Sequence, residues 1–326
     1  MREWSAKWAS NLTGAVDGMS RLLFHGLLLP LAYLPLWLHY RLSDLLAPLL
    51  YHVVRYRRRV VEQNLRRAYP QATPVERRRL AHRYYRHMSD LIVEGVYNLR
   101  VKPRRLLALY RVVNPELVAR YYDAGQSVML LSAHYNNWEY MVSSLDLQLK
   151  HHGVGVGKPL SDADFGRLLN DRRTRLGTEV VDQTNVRDVM EYYHRVHLPV
   201  AYMMLGDQSP SNPHKSYWTH LFGTETDFLF GTEYFARKYH FPVLFYAVRK
   251  VRRGRYEVRF EPLVDDVASV APGEVTERYV RRLETLIAEA PQYWLWSHNR
   301  WKHTRPDDMP LRTVLPAKSQ KGGRQA

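Results

Sequence analysis

The sequence predicts an α/β protein, a mixed sheet flanked by helices, with an N-terminal helical region that contacts a membrane. From residue 127 onward, short apolar runs bounded by turn residues alternate with segments of helical periodicity. Before residue 55 lie two long apolar stretches. The chain has 326 residues, 45% of them hydrophobic, which is enough to bury a core. We expect a membrane-associated segment (1–54), a main domain (55–306) and a flexible tail (307–326).

The first apolar stretch is short for a membrane span. Residues 22–38 contain one strongly polar side chain, His25. At about 1.5 Å per residue they reach roughly 25 Å, against about 30 Å of hydrocarbon. Pro30 and Pro35 would kink the helix, and a second stretch, residues 42–54, is interrupted by charge and proline. Three interpretations remain: a spanning helix, a hairpin lying in the interface, or a buried helical subdomain.

Charge favours an anionic partner on one side of the membrane. The chain carries 48 Lys and Arg against 32 Asp and Glu, a net charge of +16. Such a charge suits an anionic lipid surface, an acidic protein or substrate, or nucleic acid. Arginines are concentrated after the apolar region, so the positive-inside rule places the main domain in the cytoplasm. They are Arg55, Arg57, Arg58, Arg59, Arg66 and Arg67.

Residues 55–122 are predicted to be helical. Pro70 ends a first helix, and Thr73 is placed to cap a second one whose first turn contains Pro74. Pro103 ends the apolar helical pattern of residues 81–98. Beyond residue 126 the predicted strands are 127–132, 153–158, 178–182, 199–204, 242–251 and 255–264, and the predicted helices are 138–150, 162–176, 186–196, 232–239 and 274–289.

Several classes of protein are excluded by composition and motif. With no cysteine, the chain has no disulfide scaffold, cysteine nucleophile, zinc–thiolate finger or iron–sulfur cluster. It contains no HExxH or comparable ligand spacing, so we expect neither a metal nor another cofactor. It also lacks a helix-turn-helix, RRM or zinc pattern, so we expect no nucleic-acid partner.

His134 and Glu139 are the candidate chemical pair. His134 follows the predicted strand 127–132, and ligands in α/β sheets collect at the carboxyl ends of strands. Asn137 is placed to cap the next helix, with Glu139 in its first turn. A histidine that a carboxylate orients can act as a general base. From this spacing alone, a hydrogen-bonded structural histidine remains the alternative.

The block Ser132-Ala133-His134-Tyr135-Asn136-Asn137-Trp138-Glu139 resembles the His-x4-Asp/Glu motif of the lysophospholipid acyltransferase superfamily, and more narrowly that of the bacterial lipid A late acyltransferases. Further blocks resemble the family in the same order over roughly residues 20–306. They are Arg58, Asn64, Leu65 and Pro70; Gly157-Lys158-Pro159; Asn170, Arg172, Arg173 and Gly177; Gly206-Asp207-Gln208; Leu221-Phe222-Gly223; Gly231-Thr232; and residues 291–302. Two positions depart from the pattern: Lys158 replaces an arginine, and Asn299 lies where a second arginine is common.

The resemblance implies transfer of a fatty acyl chain from an acyl carrier protein thioester to a hydroxyl of an anionic glycolipid, a lipid A precursor, at the cytoplasmic face of the inner membrane. It implies His134 as general base and Glu139 as the residue that orients it. Implied substrate-binding residues are Lys158, Arg172, Asp207, Gln208 and Arg300. Alternatives are acylation of another lipid (a lysophospholipid, phosphoinositide mannoside or aminolipid) and a non-catalytic basic membrane-binding protein.

Overall fold

The computed structural model describes residues 20–160 and 162–312. The start of the predicted membrane segment, residues 1–19, and most of the predicted tail, residues 313–326, lie outside the described residues. Residues 307–312 run beside the main domain, where Leu311 forms an isolated bridge with Trp218. The order within this short piece of the predicted tail comes from that backbone pairing.

Two N-terminal helices, α1 (Ser20–Leu31) and α2 (Leu36–Val53), meet at a bend of 119°. In the described part of the chain, no single helix is long and apolar enough to cross a membrane, whereas this bent pair passes the same test of length and composition. Pro35, extended at ψ 147°, is the N-cap that precedes α2 and separates it from α1.

Helices α3 (Arg58–Ala68) and α4 (Pro74–Asn98) follow. Thr73 caps α4 as predicted: its side chain accepts the Glu76 amide, and the Glu76 carboxylate accepts the Thr73 amide. Five of the 25 residues of α4 form one wall of a cavity: Tyr84, His87, Met88, Leu91 and Ile92.

The expectation that residues 55–122 are wholly helical is corrected by a short strand. After α5 (Pro103–Leu109), β1 (Tyr110–Val112) pairs in parallel with a distant strand, and α6 (Glu116–Asp123) follows. Three residues give too short a pattern to distinguish strand from helix, and the pairing partner lies more than 140 residues away.

Apart from one hairpin, the remaining elements alternate as predicted. They are β2 (Val128–Ser132), α7 (Trp138–Gln148), β3 (His152–Gly157), α8 (Ala163–Arg173), β4 (Glu179–Asp182), α9 (Val186–Arg195), β5 (Val200–Leu205), β6 (Tyr217–Leu221), β7 (Thr224–Phe228), α10 (Gly231–Tyr239), β8 (Val243–Arg252), β9 (Arg255–Val264) and α11 (Glu274–Glu289). The predicted mixed sheet is confirmed, with the order β1-β9-β8-β2-β5-β3-β4.

All neighbours in that sheet are parallel except β8 and β9, which form an antiparallel hairpin. A separate hairpin, β6–β7, was not predicted. It turns at Phe222 and Gly223, both with positive φ, as a two-residue hairpin turn requires. Because β2, β5 and β3 are parallel neighbours, the loops that follow them meet at one edge of the sheet.

Two apolar layers cover the sheet. Residues of α5, α6 and α7 form the core on one face, and residues of α3, α4, α9, α10 and α11 form it on the other. The strand β2 is buried throughout, as a parallel strand covered on both faces should be. The edge where β2 ends is therefore held rigidly from both sides.

Candidate active site

His134 and Asp207 meet at the carboxyl ends of two neighbouring strands. His134 lies two residues after β2, and Asp207 lies two residues after β5. The His134 Nδ1–H donates to Asp207 Oδ1 over 2.7 Å. That bond fixes the tautomer, because a carboxylate accepts and the other ring nitrogen, Nε2, is then left as a proton acceptor.

Asp207 is buried and ionised. Burial by itself would raise the pKa of its carboxyl, but the charge and hydrogen bond of His134 and the indole of Trp294 outweigh burial and hold this pKa below its usual value. The Trp294 Nε1–H donates to the second oxygen, Oδ2, over 2.8 Å. Both carboxylate oxygens are therefore engaged, and Asp207 can neither rotate nor take up a proton easily.

Close packing sets the separation between the two loops. Gly206 donates its amide to the Ser132 carbonyl over 3.0 Å. A Cβ at position 206 would lie 3.1 Å from the Tyr279 ring and 3.2 Å from Leu131 Cδ1. The Tyr279 hydroxyl donates to the same Ser132 carbonyl over 2.9 Å. Glycine at 206 thus lets Asp207 come within reach of His134.

Gln208 lies on the other side of the imidazole. Its Nε2 is 3.2 Å from His134 Nε2, which leaves an amide N–H pointing at the nitrogen that would take a proton. The ring of His134 is about one-fifth exposed, and the indole of Trp138 packs against it edge-on at 5.1 Å. Water therefore has only limited access to the imidazole of His134.

Glu139 does not occupy the position that the sequence predicted. Its carboxylate accepts two hydrogen bonds from Arg173, at 2.8 Å from Nε and 2.6 Å from a terminal nitrogen, and no hydrogen bond joins it to His134. Asn137 does cap α7, accepting the Tyr140 amide over 2.9 Å, and Glu139 does lie in the first turn. Asp207 instead is the carboxylate that holds His134.

The loop that carries His134 is held by the segment after α11. The Leu295 amide donates to the His134 carbonyl over 3.1 Å, and the Asn136 amide donates to the Tyr293 carbonyl over 2.9 Å. Asn136 has φ 54°, a left-handed conformation that asparagine tolerates. These contacts explain why residues 291–302 matter to a loop more than 150 positions earlier.

A cavity of about 300 Å³ opens beside this loop. Most of its wall is apolar, and it lies between α4, the loop 136–139 and residues 293–297. Its lining is Leu50, Tyr56, Tyr84, His87, Met88, Leu91, Ile92, Asn136, Asn137, Trp138, Glu139, Tyr293, Trp294, Leu295 and Ser297. The mainly apolar lining of this space suits an apolar ligand.

A second depression, of about 200 Å³, adjoins the first through Glu139. Two arginines at the end of α8, Arg172 and Arg173, line it. Lys158 is exposed just after β3, at the same edge of the sheet as His134. Arg172 and Lys158 therefore remain accessible to an anionic ligand.

Arg300 was predicted to bind substrate, and its position corrects that expectation. It is wholly buried, donating to the Ser209 hydroxyl over 3.1 Å and to the Asp227 carbonyl, with its guanidinium 4.1 Å from the Phe228 ring centre. Burial lowers its pKa to about 10, so it stays charged. Arg300 ties β7 to the loop after β5 and does not face the cavity.

His298 also supports that loop. Burial lowers the pKa of His298 to about 4, which keeps the ring neutral, and its Nε2 accepts the Ser209 amide over 2.9 Å. In the described ranges, no three side chains of the histidine, aspartate and glutamate types are grouped as a metal site would need.

Asp207 was predicted to lie at the site as a substrate-binding residue, not as the partner of His134. The signal that could have identified it was present, since His134 and Asp207 both follow adjacent apolar strands by two residues. The sequence contained no comparable signal for the ion pair between Arg173 and Glu139, or for the hydrogen bond from Trp294 to Asp207. Each of these contacts joins elements that are far apart in the chain.

Together these observations define an α/β fold with a partly buried histidine–carboxylate pair at the carboxyl edge of its sheet, next to an apolar cavity. Residues 17–303 match the bacterial lipid A biosynthesis acyltransferase family, and the chain belongs to that family. It is 23% identical over 295 residues to the lipid A biosynthesis lauroyltransferase of Escherichia coli (strain K12), covering 88% of this chain and 92% of that protein. The chain is therefore an O-acyltransferase of lipid A biosynthesis, which excludes the non-catalytic alternative.

Proposed function

We propose that this enzyme moves a fatty acyl chain from an acyl carrier protein thioester to a hydroxyl of a lipid A precursor, with His134 as general base. The observation that carries this proposal is the bond between His134 Nδ1 and Asp207 at 2.7 Å, which makes Nε2, the nitrogen that faces the Gln208 amide, the one that can accept a proton. Membership in the lipid A acyltransferase family supplies the reaction class.

One histidine, His134, accepts and then returns the proton during the transfer. His134 Nε2 takes the proton of the acceptor hydroxyl as its oxygen bonds to the thioester carbonyl carbon. The carbon–sulfur bond then breaks, and the imidazolium returns its proton to the leaving thiolate. Asp207 acts as a positioning residue, because its carboxylate faces the Nδ1 side and stabilises the imidazolium between the two steps.

Gln208 suits the stabilisation of charge on the acyl oxygen. Its amide lies 3.2 Å from His134 Nε2, so an incoming hydroxyl must displace it. A displaced amide N–H next to the reacting carbon is the type of donor that stabilises an oxyanion. In this scheme Gln208 moves from the imidazole to the carbonyl oxygen when the acceptor binds.

The apolar cavity fits the acyl chain, and the basic depression beside it fits the acceptor's phosphate. Glu139 separates the two and holds the Arg173 fork by two hydrogen bonds. Glu139 then orients Arg173 toward a phosphate and contacts the acceptor's polar end. Lys158 and Arg172 add positive charge for the glycolipid or the acidic carrier.

An unusual helix supports membrane association. On its protein side, α2 buries His39, Ser43 and Ala47, where Ser43 Oγ donates to Asp90 over 2.7 Å. Its opposite side exposes large apolar groups, among them Leu45 and Val53, each 71% exposed. A water-facing helix has the reverse distribution. Polar side chains thus face the protein and apolar ones face outward, and a run of arginines follows residue 54. Both features favour a helix pair that lies in the cytoplasmic face of the inner membrane.

We expect the triple variant Trp37→Gln, Leu45→Gln and Val53→Gln to lose at least tenfold of its affinity for vesicles of phosphatidylethanolamine and phosphatidylglycerol, because three apolar side chains no longer enter the bilayer. Flotation across a salt series measures this. A matched control changes three exposed valines on the main domain, Val75, Val196 and Val251, to glutamine. Equal flotation of both variants would contradict the assignment.

The function itself is tested by transfer in vitro. Purified enzyme, acyl-loaded carrier protein and a lipid A precursor should yield a precursor heavier by one acyl group and an equal amount of free carrier thiol, detected by mass spectrometry. The same chain on coenzyme A serves as the comparison donor. Acylation of a lysophospholipid with no change in the precursor would refute the proposed acceptor, and equal use of coenzyme A would refute the proposed carrier.

A further inference from the structure

Glu94 is a buried carboxylate that plays no part in the mechanism proposed above. It lies in α4 and is 0% exposed. Burial raises the pKa of its carboxyl, while the charge of Lys250 and the hydrogen bonds that Glu94 accepts oppose that rise. A carboxylate removed from water is costly unless hydrogen bonds compensate for the lost solvent. The groups that donate to Glu94 therefore indicate what it holds in place.

Three donors from three separate elements meet at Glu94. The Tyr40 hydroxyl, from α2, donates to Oε1 over 2.8 Å. The Asn137 side-chain amide donates to Oε2 over 2.7 Å, and the Tyr256 hydroxyl, from β9, donates to the same oxygen over 2.8 Å. One carboxylate thus joins the helix α2, the sheet and the loop that carries His134.

The Asn137 side chain connects Glu94 to the surroundings of the base. Its Oδ1 accepts the Tyr140 amide over 2.9 Å and so caps α7, while its Nδ2 is held by Glu94. The next residue, Trp138, packs against the imidazole of His134 edge-on at 5.1 Å. A change in the Asn137 rotamer would therefore alter both the start of α7 and the packing of the imidazole.

The Tyr40 side chain is held by the β8–β9 hairpin. The Arg253 guanidinium lies 4.5 Å from the centre of the Tyr40 ring. Gly254, at the turn of that hairpin, has φ 73°, and a Cβ at this position would overlap the Tyr40 hydroxyl. Close packing thus fixes the hydroxyl that reaches Glu94, on the helix whose opposite side we assign to the membrane.

We propose that Glu94 is a positioning residue, which holds the loop of His134 in place and connects that loop to α2. It acts through Asn137 on one side and Tyr40 on the other, not on the reacting atoms. The docking of α2 on the main domain then affects the rate of transfer as well as the stability of the fold, because a small misplacement of a base is costly in rate. This proposal rests on the proposed role of His134 as general base.

The first test compares the removal of two hydroxyls from α2. Tyr40→Phe removes the donor to Glu94, and Ser43→Ala removes the hydroxyl that donates to Asp90, also in α4, over 2.7 Å. Each variant loses one hydrogen bond between α2 and α4, so we expect similar losses of thermal stability. Only Tyr40→Phe should also lower kcat, by about three- to tenfold at unchanged KM. Equal kcat values for the two variants would overturn the proposal.

The second test exchanges donor and acceptor between Glu94 and Asn137. Asn137→Asp keeps an oxygen to cap α7 but places two carboxylates side by side, which is unfavourable. Glu94→Gln presents an amide where Asn137 needs an acceptor. Each single variant should lose about tenfold or more in kcat, and the double variant, which again pairs one amide with one carboxylate, should return to within about threefold of the wild type. A double variant no faster than the slower single variant would contradict the connection.

A readout without turnover separates this proposal from the proposed function. Amide hydrogen exchange over residues 134–141 of the full-length enzyme, measured by mass spectrometry, should be faster in Tyr40→Phe and Glu94→Gln than in Ser43→Ala, because the cap at Asn137 is loosened. That order would support the connection even if the acceptor proved to be another lipid. Exchange that Tyr40→Phe leaves unchanged would overturn it even if His134 proved to be the base.

Discussion

Replacement of His134 by alanine is expected to lower kcat by about 10²–10⁴, because no other base is held at the carboxyl end of β2. The loop should keep its conformation, since its bonds to Leu295 and Tyr293 use backbone atoms of residues 134 and 136. Single-turnover transfer from a radiolabelled carrier to the precursor measures the chemical step directly, and vesicle flotation and thermal unfolding of the variant check that it is folded.

The matched control for this variant is His298→Gln. His298 is a neutral histidine near the site, and it accepts a backbone amide rather than facing the cavity. We expect this control to affect stability more than kcat. An alanine variant at 134 that turns over at a rate close to that of the wild type would remove His134 from the mechanism.

Replacement of Asp207 by asparagine is expected to lower kcat by about 10⁴, with little change in KM. An amide can present its N–H to Nδ1, which favours the opposite tautomer and places the proton on Nε2, where the acceptor must be deprotonated. It also removes the charge opposite the imidazolium, so protonation of the base requires a lower pH. The acid limb of the kcat/KM profile should therefore move to lower pH, a change that loss of packing would not cause.

Glu139 provides the contrast, because the sequence assigned it the role that Asp207 has in the structure. If Glu139 acts through Arg173, Glu139→Gln and Arg173→Gln should be strongly non-additive in a double-mutant cycle. Their main effect should be on the KM for the acceptor. Additive losses in kcat, together with a shifted acid limb in Glu139→Gln, would instead assign Glu139 to the imidazole.

Pattern and spacing were sufficient for the main elements of the fold. The alternation after residue 126 predicted strands β2 to β5, β8 and β9 and helices α7 to α11. The caps at Thr73 and Asn137 were both confirmed. These features depend on neighbours within four residues. The short β1 and the β6–β7 hairpin were missed, because the stability of β1 comes from pairing with β9 and β6–β7 packs against α11.

The sequence by itself located the site, because it placed His134 directly after a buried strand. It suggested that His134 is a base because a carboxylate, Glu139, follows five positions later. Only the tertiary structure showed that Asp207 is the carboxylate that holds the His134 imidazole. The reason is that β2 and β5 are neighbours in the sheet but about 70 residues apart in the chain. It also moved Arg300 from the predicted substrate site to the interior. The reason is physical: a hydrogen bond requires atoms within about 3 Å, and outside a helix or turn only packing brings them that close.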